Sequence, residues 1–250
     1  MKADRILFPT FSWLLLLLIP FTFFGFYPSY FSKLFSPMAN IFHVHAFFMS
    51  LWVIIAIVQP FLISRKKFRL HRFIGKLSYL LMPVVLITGW MVIRYSYYNR
   101  IQLDTLKAGS GLTPLDTEAI INTTKENIII GIVYLTWLAI FYLLAVINRK
   151  RMVFHATYMC AAILTLLGPT VDRIIFQVYE YYGLTFNFFA EVAVFLLIDI
   201  LLLALLWFQW RKGYSLKATI ASLAIYIAGQ LAYFFLPGTA AWKNFVAFVL

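Results

Sequence analysis

Residues 128–147 read IIIGIVYLTWLAIFYLLAVI, a run of 20 positions without a charged side chain. A helix that crosses a bilayer needs about 20 consecutive apolar residues, and only a helix satisfies its own backbone polar groups there. Seven stretches of similar character predict an all-α, polytopic seven-helix transmembrane bundle that occupies residues 1–250 as a single transmembrane domain. They are Leu7–Phe24, Ile41–Ile63, Phe73–Ile93, Ile128–Ile147, Phe154–Ile174, Phe188–Trp207 and Ala218–Leu236.

Composition and charge agree with a membrane protein. Hydrophobic residues make up 63% of the chain and charged residues only 12%, which is far from a soluble domain. The net charge of +12 follows the positive-inside rule, because 14 of the 21 basic residues fall in alternate connections. We therefore expect lipid rather than nucleic acid as the partner, a cytoplasmic N-terminus, an outward C-terminus and a bacterial inner membrane.

The longest connection, residues 94–127, is predicted to be an extracytoplasmic loop. Gly109, Ser110 and Gly111 are typical of a turn, and Thr113 or Asp116 is placed to cap a short surface helix.

A basic phrase that ends in histidine occurs twice before a predicted span. Residues 65–71 read RKKFRLH and residues 149–155 read RKRMVFH. The repetition predicts that the second to fifth spans form a four-helix core of two repeated pairs, with three peripheral helices around it.

The repeated phrase places His71 and His155 at similar depth on one side of the bilayer. Two imidazoles that met in a bundle interior would suit a haem b, because neutral histidine nitrogens ligate iron. The alternative is that both side chains lie among lipid head groups beside their basic neighbours. His43 and His45 form an H-x-H pair at the other end, where His45 is the candidate metal ligand.

The predicted sixth span carries two acids, Glu191 and Asp199, eight residues apart and nearly on one helix face. Asp199 falls close to the bilayer centre, where a charge costs at least about 2.5 kcal/mol and needs a partner or a proton. The candidate partners by depth are Arg173, Arg94, His45 and Gln230. His45, Asp172, Arg173 and Glu191 could also form an outer site for a metal, an anion or a proton relay.

No catalytic residue is assigned, since phosphate-binding and dinucleotide motifs are absent and Cys160 is the only cysteine. Three functions remain open. The first is binding of haem or another small ligand, with a role in electron transfer. The second is proton- or ion-coupled transport through the acids of the sixth span. The third is an accessory subunit, bound to another membrane protein or to a second copy of the chain.

Several residues carry a resemblance to bacterial multi-pass membrane families of unknown function. They are His45, Trp52, Gln59, Leu62, Arg65, Leu70-His71-Arg72, Gly75, His155-x-x-x-Met159 and Gly168-Pro169 followed by Asp172-Arg173. The resemblance implies that His45, His71, His155 and Arg173 are the polar signature of such a family.

A more distant similarity is to transmembrane di-haem cytochromes b, in which four consecutive helices supply two histidine pairs. Here the fourth predicted span has no histidine. The similarity therefore implies at most one bis-imidazole haem, held by His71 and His155.

Overall fold

The structure, a computed structural model, describes residues 13, 15–107, 117–183 and 189–250. Every regular element among these residues is helical, so the predicted all-α class is confirmed. A short 3₁₀ turn, Phe31–Lys33, follows the first helix. The α-helices are α1 (Leu18–Phe26), α2 (Asn40–Ser64), α3 (Phe68–Lys107), α4 (Thr117–Asn127), α5 (Ile129–Ile147), α6 (Met152–Leu164), α7 (Leu167–Tyr181), α8 (Phe189–Arg211), α9 (Lys217–Phe235) and α10 (Ala240–Val249).

Six helical stretches among the described residues are long and apolar enough to cross a membrane. They are Asn40–Ser64, Phe68–Lys107, Thr117–Ile147, Met152–Tyr181, Glu191–Arg211 and Lys217–Phe235. These stretches match the last six of the seven predicted spans and indicate an integral membrane protein. Seven of the 18 residues of the first predicted span, Leu7–Phe24, lie outside the described residues. The count of seven and the orientation stay predictions.

Helix α3 is much longer than the predicted span Phe73–Ile93. Its 40 residues extend about 60 Å at 1.5 Å per residue, twice the thickness of the hydrocarbon core. Residues 94–107 thus continue the helix, although we expected them in a loop, and α4 occupies the end of the same connection. Charged residues of this extension form pairs on the helix surface, where Arg100 and Lys107 approach Asp104 at 3.7 and 3.8 Å. The expected turn at Gly109–Gly111 and the caps Thr113 and Asp116 lie outside the described residues.

The chain divides into two compact units. The first contains Met1–Gly89 and Pro169–Glu191, and the second contains Trp90–Gly168 and Val192–Leu250.

In the second unit, α5, α6 and α9 pack against one another. The contact is aromatic, since the Tyr226 ring lies 4.6 Å from Trp137 and 4.8 Å from Phe141, all three being buried. Gly229 allows α9 this close, because a Cβ there would lie 2.4 Å from the Trp137 indole nitrogen. The helix of the last predicted span, α9, thus packs on the helices of the fourth and fifth predicted spans.

In the first unit, α2 and α3 form an antiparallel hairpin. The turn between them is closed by Lys67 N–H donating to the Leu62 carbonyl at 2.8 Å, with Lys66 in the left-handed conformation. Further along the hairpin, the Gln59 side-chain amide donates to the backbone carbonyl of His71 at 3.3 Å. Helix α3 continues through Pro83.

Candidate functional site

The most informative polar contact in the second unit joins α8 and α9. The Gln230 side-chain amide donates to the carboxylate of Asp199 at 3.1 Å, and both side chains are partly buried. Asp199 is the eleventh of the 23 residues of α8, so it lies at the middle of a candidate span. Among the described residues, no basic side chain pairs with it.

An acid with an amide as its hydrogen-bonding partner is costly at this depth. A charge at the centre of a membrane helix costs about 2.5 kcal/mol or more unless it is paired, hydrated or neutralised. One amide N–H supplies a hydrogen bond but no compensating positive charge. Protonation is therefore the simplest way for Asp199 to remain there, and this makes it a proton-binding candidate.

The candidate span Met152–Tyr181 is interrupted at Thr165 and Leu166, between α6 and α7. Pro169 has no N–H to donate back across this break. Instead, the Thr165 hydroxyl donates to the Ala162 carbonyl at 2.7 Å, and Leu166 N–H donates to the Ile163 carbonyl at 3.0 Å.

A second hydroxyl reaches the same break from α9. The Tyr226 hydroxyl donates to the Ala161 carbonyl at 2.7 Å, and Ala161, Ala162 and Thr165 are all buried. Thr165 itself keeps helical φ and ψ angles of −60° and −23°, so the break is a local change of hydrogen bonds within buried protein.

One helix contacts both features. Tyr226 and Gln230 are four residues apart on α9, so they lie on the same face, about 6 Å apart along the axis. Tyr226 bonds to the broken helix, while Gln230 bonds to the acid. A shift of α9 would therefore disturb both contacts together.

A buried polar tie lies near the opposite end of the α8 and α9 hairpin. The Gln209 amide donates to the Thr157 hydroxyl at 2.8 Å, and the Thr219 hydroxyl donates to the Gln209 carbonyl oxygen at 2.5 Å. All three side chains are buried and connect α6, α8 and α9. Because the Gln209 amide is bonded through both its nitrogen and its oxygen, this tie fixes the register of the hairpin. It lies about 15 Å from Asp199 along α8.

Sequence reasoning missed this tie and the role of Tyr226. Thr157, Thr219 and Tyr226 are ordinary polar residues within apolar runs, and Gln209 follows the predicted end of its span at Trp207. Nothing in the sequence pattern around these residues indicated that they bond to a neighbouring helix.

The histidines at the far end of the α2 and α3 hairpin have protein partners. His45 Nδ1 lies 3.0 Å from the Thr88 hydroxyl, which itself donates to the Val84 carbonyl at 2.8 Å. The His45 imidazole and the Thr88 hydroxyl are thus hydrogen-bonding partners between α2 and α3. His43 Nδ1 lies 3.2 Å from the Tyr30 hydroxyl.

His45 and His71 lie at opposite ends of this hairpin. His45 contacts Thr88, which is 17 residues after His71 on α3. That separation corresponds to about 25 Å along the helix axis.

His155, near the start of α6, has a fixed ring orientation. Its Nδ1 lies 2.8 Å from the Ala145 carbonyl, an acceptor, so the proton is on Nδ1. The lone pair is then on Nε2, as in a metal-bound imidazole. His71 belongs to the first unit and His155 to the second, so the haem pair stays a prediction.

The remaining candidate residues of the expected outer site belong to the first unit. The Arg173 guanidinium donates to the Pro169 carbonyl at 2.7 Å and lies 4.3 Å from the centre of the Phe26 ring. Asp172 precedes it on α7, and Glu191 lies in the first turn of α8, where an acid complements the helix dipole.

Arg94 of the second unit, expected as a partner of Asp199, lies over the Tyr98 ring at 5.8 Å. No three His, Cys, Asp or Glu side chains in the described part of the chain are grouped so as to hold a metal ion.

The chain was compared with protein-family models, curated proteins and solved structures. No protein-family model, curated protein or solved structure matches the chain. The chemistry of the site therefore follows from its own residues, of which the acid and amide pair of α8 and α9 and the adjacent broken helix are the best defined.

Proposed function

We propose that this protein is a proton-coupled transporter of a small polar solute, in which Asp199 takes up and releases the coupled proton. The observation that carries the proposal is the contact of Asp199, near the middle of its span, with Gln230, without a basic partner among the described residues. Ionisable residues inside spans mark ion or proton pathways in many pumps and transporters.

The partner of Asp199 suits a group that changes its protonation state. An amide N–H can donate to a carboxylate oxygen, and equally to the carbonyl oxygen of a protonated carboxyl. The Gln230 contact can therefore persist through a cycle of protonation. A basic partner would instead hold the acid permanently charged.

The broken helix supplies a place where a span can change shape. Discontinuous membrane helices often lie at the substrate and ion sites of secondary transporters. Here the break is linked to the acid through α9, since Tyr226 bonds to Ala161 one turn from Gln230. Protonation of Asp199 would bias the position of α9, and α9 would bias the break.

The experiment is a transport screen with purified protein in liposomes. Electrical currents would be recorded on a solid-supported membrane while sodium, potassium, ammonium, amino acids, sugars or organic acids are applied under a pH gradient. We expect one class of solute to give a current that protein-free liposomes lack. The Asp199→Asn variant should lose this current, while the matched Asp104→Asn variant, an acid on the exposed end of α3, should keep it. A current that survives in Asp199→Asn would contradict the proposal.

Haem binding is a second candidate, supported by the orientation of His155. Its Nδ1 contact with the Ala145 carbonyl leaves the nitrogen lone pair on Nε2, the form that ligates iron. Bound haem would supply one-electron chemistry, while His155 would hold the iron. Purified protein should then show a Soret absorption band that His155→Ala loses. A spectrum without this band after haem supplementation would remove the candidate.

A further inference from the structure

The turn before α3 and the first turns of α3 carry an unusual concentration of positive charge. Six basic residues fall within twelve positions, and all are exposed: Arg65, Lys66, Lys67, Arg69, Arg72 and Lys76. None pairs with an acid of the described residues, and the first turn of α3 contains no acid. The N-terminus of a helix is itself partly positive, so the local potential favours an anion.

Three of these side chains lie on the helix as a stripe. Arg69, Arg72 and Lys76 follow the i, i+3, i+7 spacing that keeps residues on one face. The turn residues Arg65 to Lys67 lie just before them. The stripe can thus surround one anionic group rather than spread its charge around the helix.

An exposed apolar surface adjoins the stripe. Phe73 is 59% exposed, Leu77 51% and Leu80 76%. At 100° per residue, these three and the basic stripe fall within about 140° of the helix circumference. The apolar residues also lie further along α3, toward the interior of the candidate span Phe68–Lys107.

We propose that this face of α3 is a binding site for an anionic phospholipid. The phosphate of the head group is held by Arg69, Arg72 and Lys76, and an acyl chain lies along Phe73, Leu77 and Leu80. Basic clusters at the ends of membrane helices attract anionic lipids. A free phosphate would use the charges alone, whereas a phospholipid also covers the exposed apolar side chains at the same depth as its own chains.

The basic turn at Arg149, Lys150 and Arg151 offers a matched control. It carries three exposed basic residues in the second unit. These residues lie in the turn before α6, which begins at Met152, and so do not form a stripe along a helix. If any basic cluster at a helix end retained anionic lipid, neutralising either cluster would lower lipid retention to the same extent.

Native mass spectrometry of the detergent-solubilised protein tests the proposal, with phosphatidylglycerol and phosphatidylcholine added at equal concentration. The wild type should retain phosphatidylglycerol at least about tenfold better. Combined Arg69→Gln, Arg72→Gln and Lys76→Gln should abolish this preference, whereas combined Arg149→Gln, Lys150→Gln and Arg151→Gln should keep it. The single variant Arg72→Gln should lower the preference for phosphatidylglycerol in part. It replaces the triple variant in the test if the triple variant does not fold.

Two further measurements separate a phospholipid from a phosphate. Phe73→Ser with Leu77→Ser should weaken phosphatidylglycerol retention although every charge remains. Inorganic phosphate and glycerol 3-phosphate should fail to displace the lipid. Equal retention of the two lipids by the wild type, equal loss in the two triple variants, or displacement by glycerol 3-phosphate would overturn the proposal.

Discussion

Gln230 of α9 donates its side-chain amide to the carboxylate of Asp199 of α8 at 3.1 Å, and Asp199 lies near the middle of its candidate membrane span. One turn away on α9, Tyr226 bonds to the interrupted helix between α6 and α7. An acid, an amide and a break in a span are thus connected through a single helix. The proposed coupling between the proton and the solute depends on this connection.

Removal of the Tyr226 hydroxyl should lower the stability of the protein, because this hydroxyl bonds to the helix next to the break between α6 and α7. In Tyr226→Phe the buried Ala161 carbonyl loses the hydroxyl that bonds to it, which costs about 1–2 kcal/mol of unfolding free energy. Denaturant titration in detergent micelles measures the change. Tyr79→Phe is the control, since Tyr79 is 43% exposed, and its stability should equal that of the wild type. Equal stability of both variants would show that the Tyr226 contact does not hold the break.

A methyl group at Gly168 should disturb the packing beside the same break. A Cβ there would lie 2.1 Å from the Tyr134 ring, so Gly168→Ala forces the ring or the backbone to move. We expect a loss of about 1–3 kcal/mol in the same titration. Gly238→Ala, where a Cβ meets nothing within 4 Å, should change little. Tyr134→Leu combined with Gly168→Ala should recover part of the loss, and no recovery would argue against this contact as the cause.

The turn between α2 and α3 should become more stable with a glycine. Lys66 has φ of 57°, a left-handed conformation that costs a side-chain-bearing residue on the order of 1 kcal/mol and costs glycine little. Lys66→Gly should therefore raise the thermal unfolding temperature. Lys67→Gly, where φ is not positive, should leave it unchanged or lower it. The reverse order of the two variants would contradict this description of the turn.

Much of the fold was readable from the sequence because membrane helices depend on apolar length. Six of the seven predicted spans correspond to long apolar helices, since a run such as residues 128–147 has no alternative structure in a bilayer. The end of α3 was not readable in this way. Residues 94–107 are polar, and polarity marks where a helix leaves the bilayer rather than where the helix ends.

The site was readable in part. A charge within an apolar run singled out Asp199, and Gln230 was among the partners expected by depth. The sequence did not identify Tyr226 or Gln209, because a hydroxyl or amide within an apolar helix has the same pattern whether it binds a neighbour or its own backbone. The aromatic contact of Trp137 with Tyr226 was not readable either, since it depends on tertiary packing.

The central claim, that Asp199 carries the coupled proton, can be separated from solute binding. In liposomes loaded with the solute identified by the screen, labelled solute can exchange for unlabelled solute without net proton movement. Uptake against a concentration difference requires the pH gradient.

The decisive measurement compares these two processes in the wild type and in Asp199→Asn. The account predicts that Asp199→Asn loses gradient-driven uptake and keeps exchange, because asparagine preserves shape and a hydrogen-bond acceptor for Gln230 but cannot release a proton. Gradient-driven uptake by Asp199→Asn at the wild-type rate would contradict it.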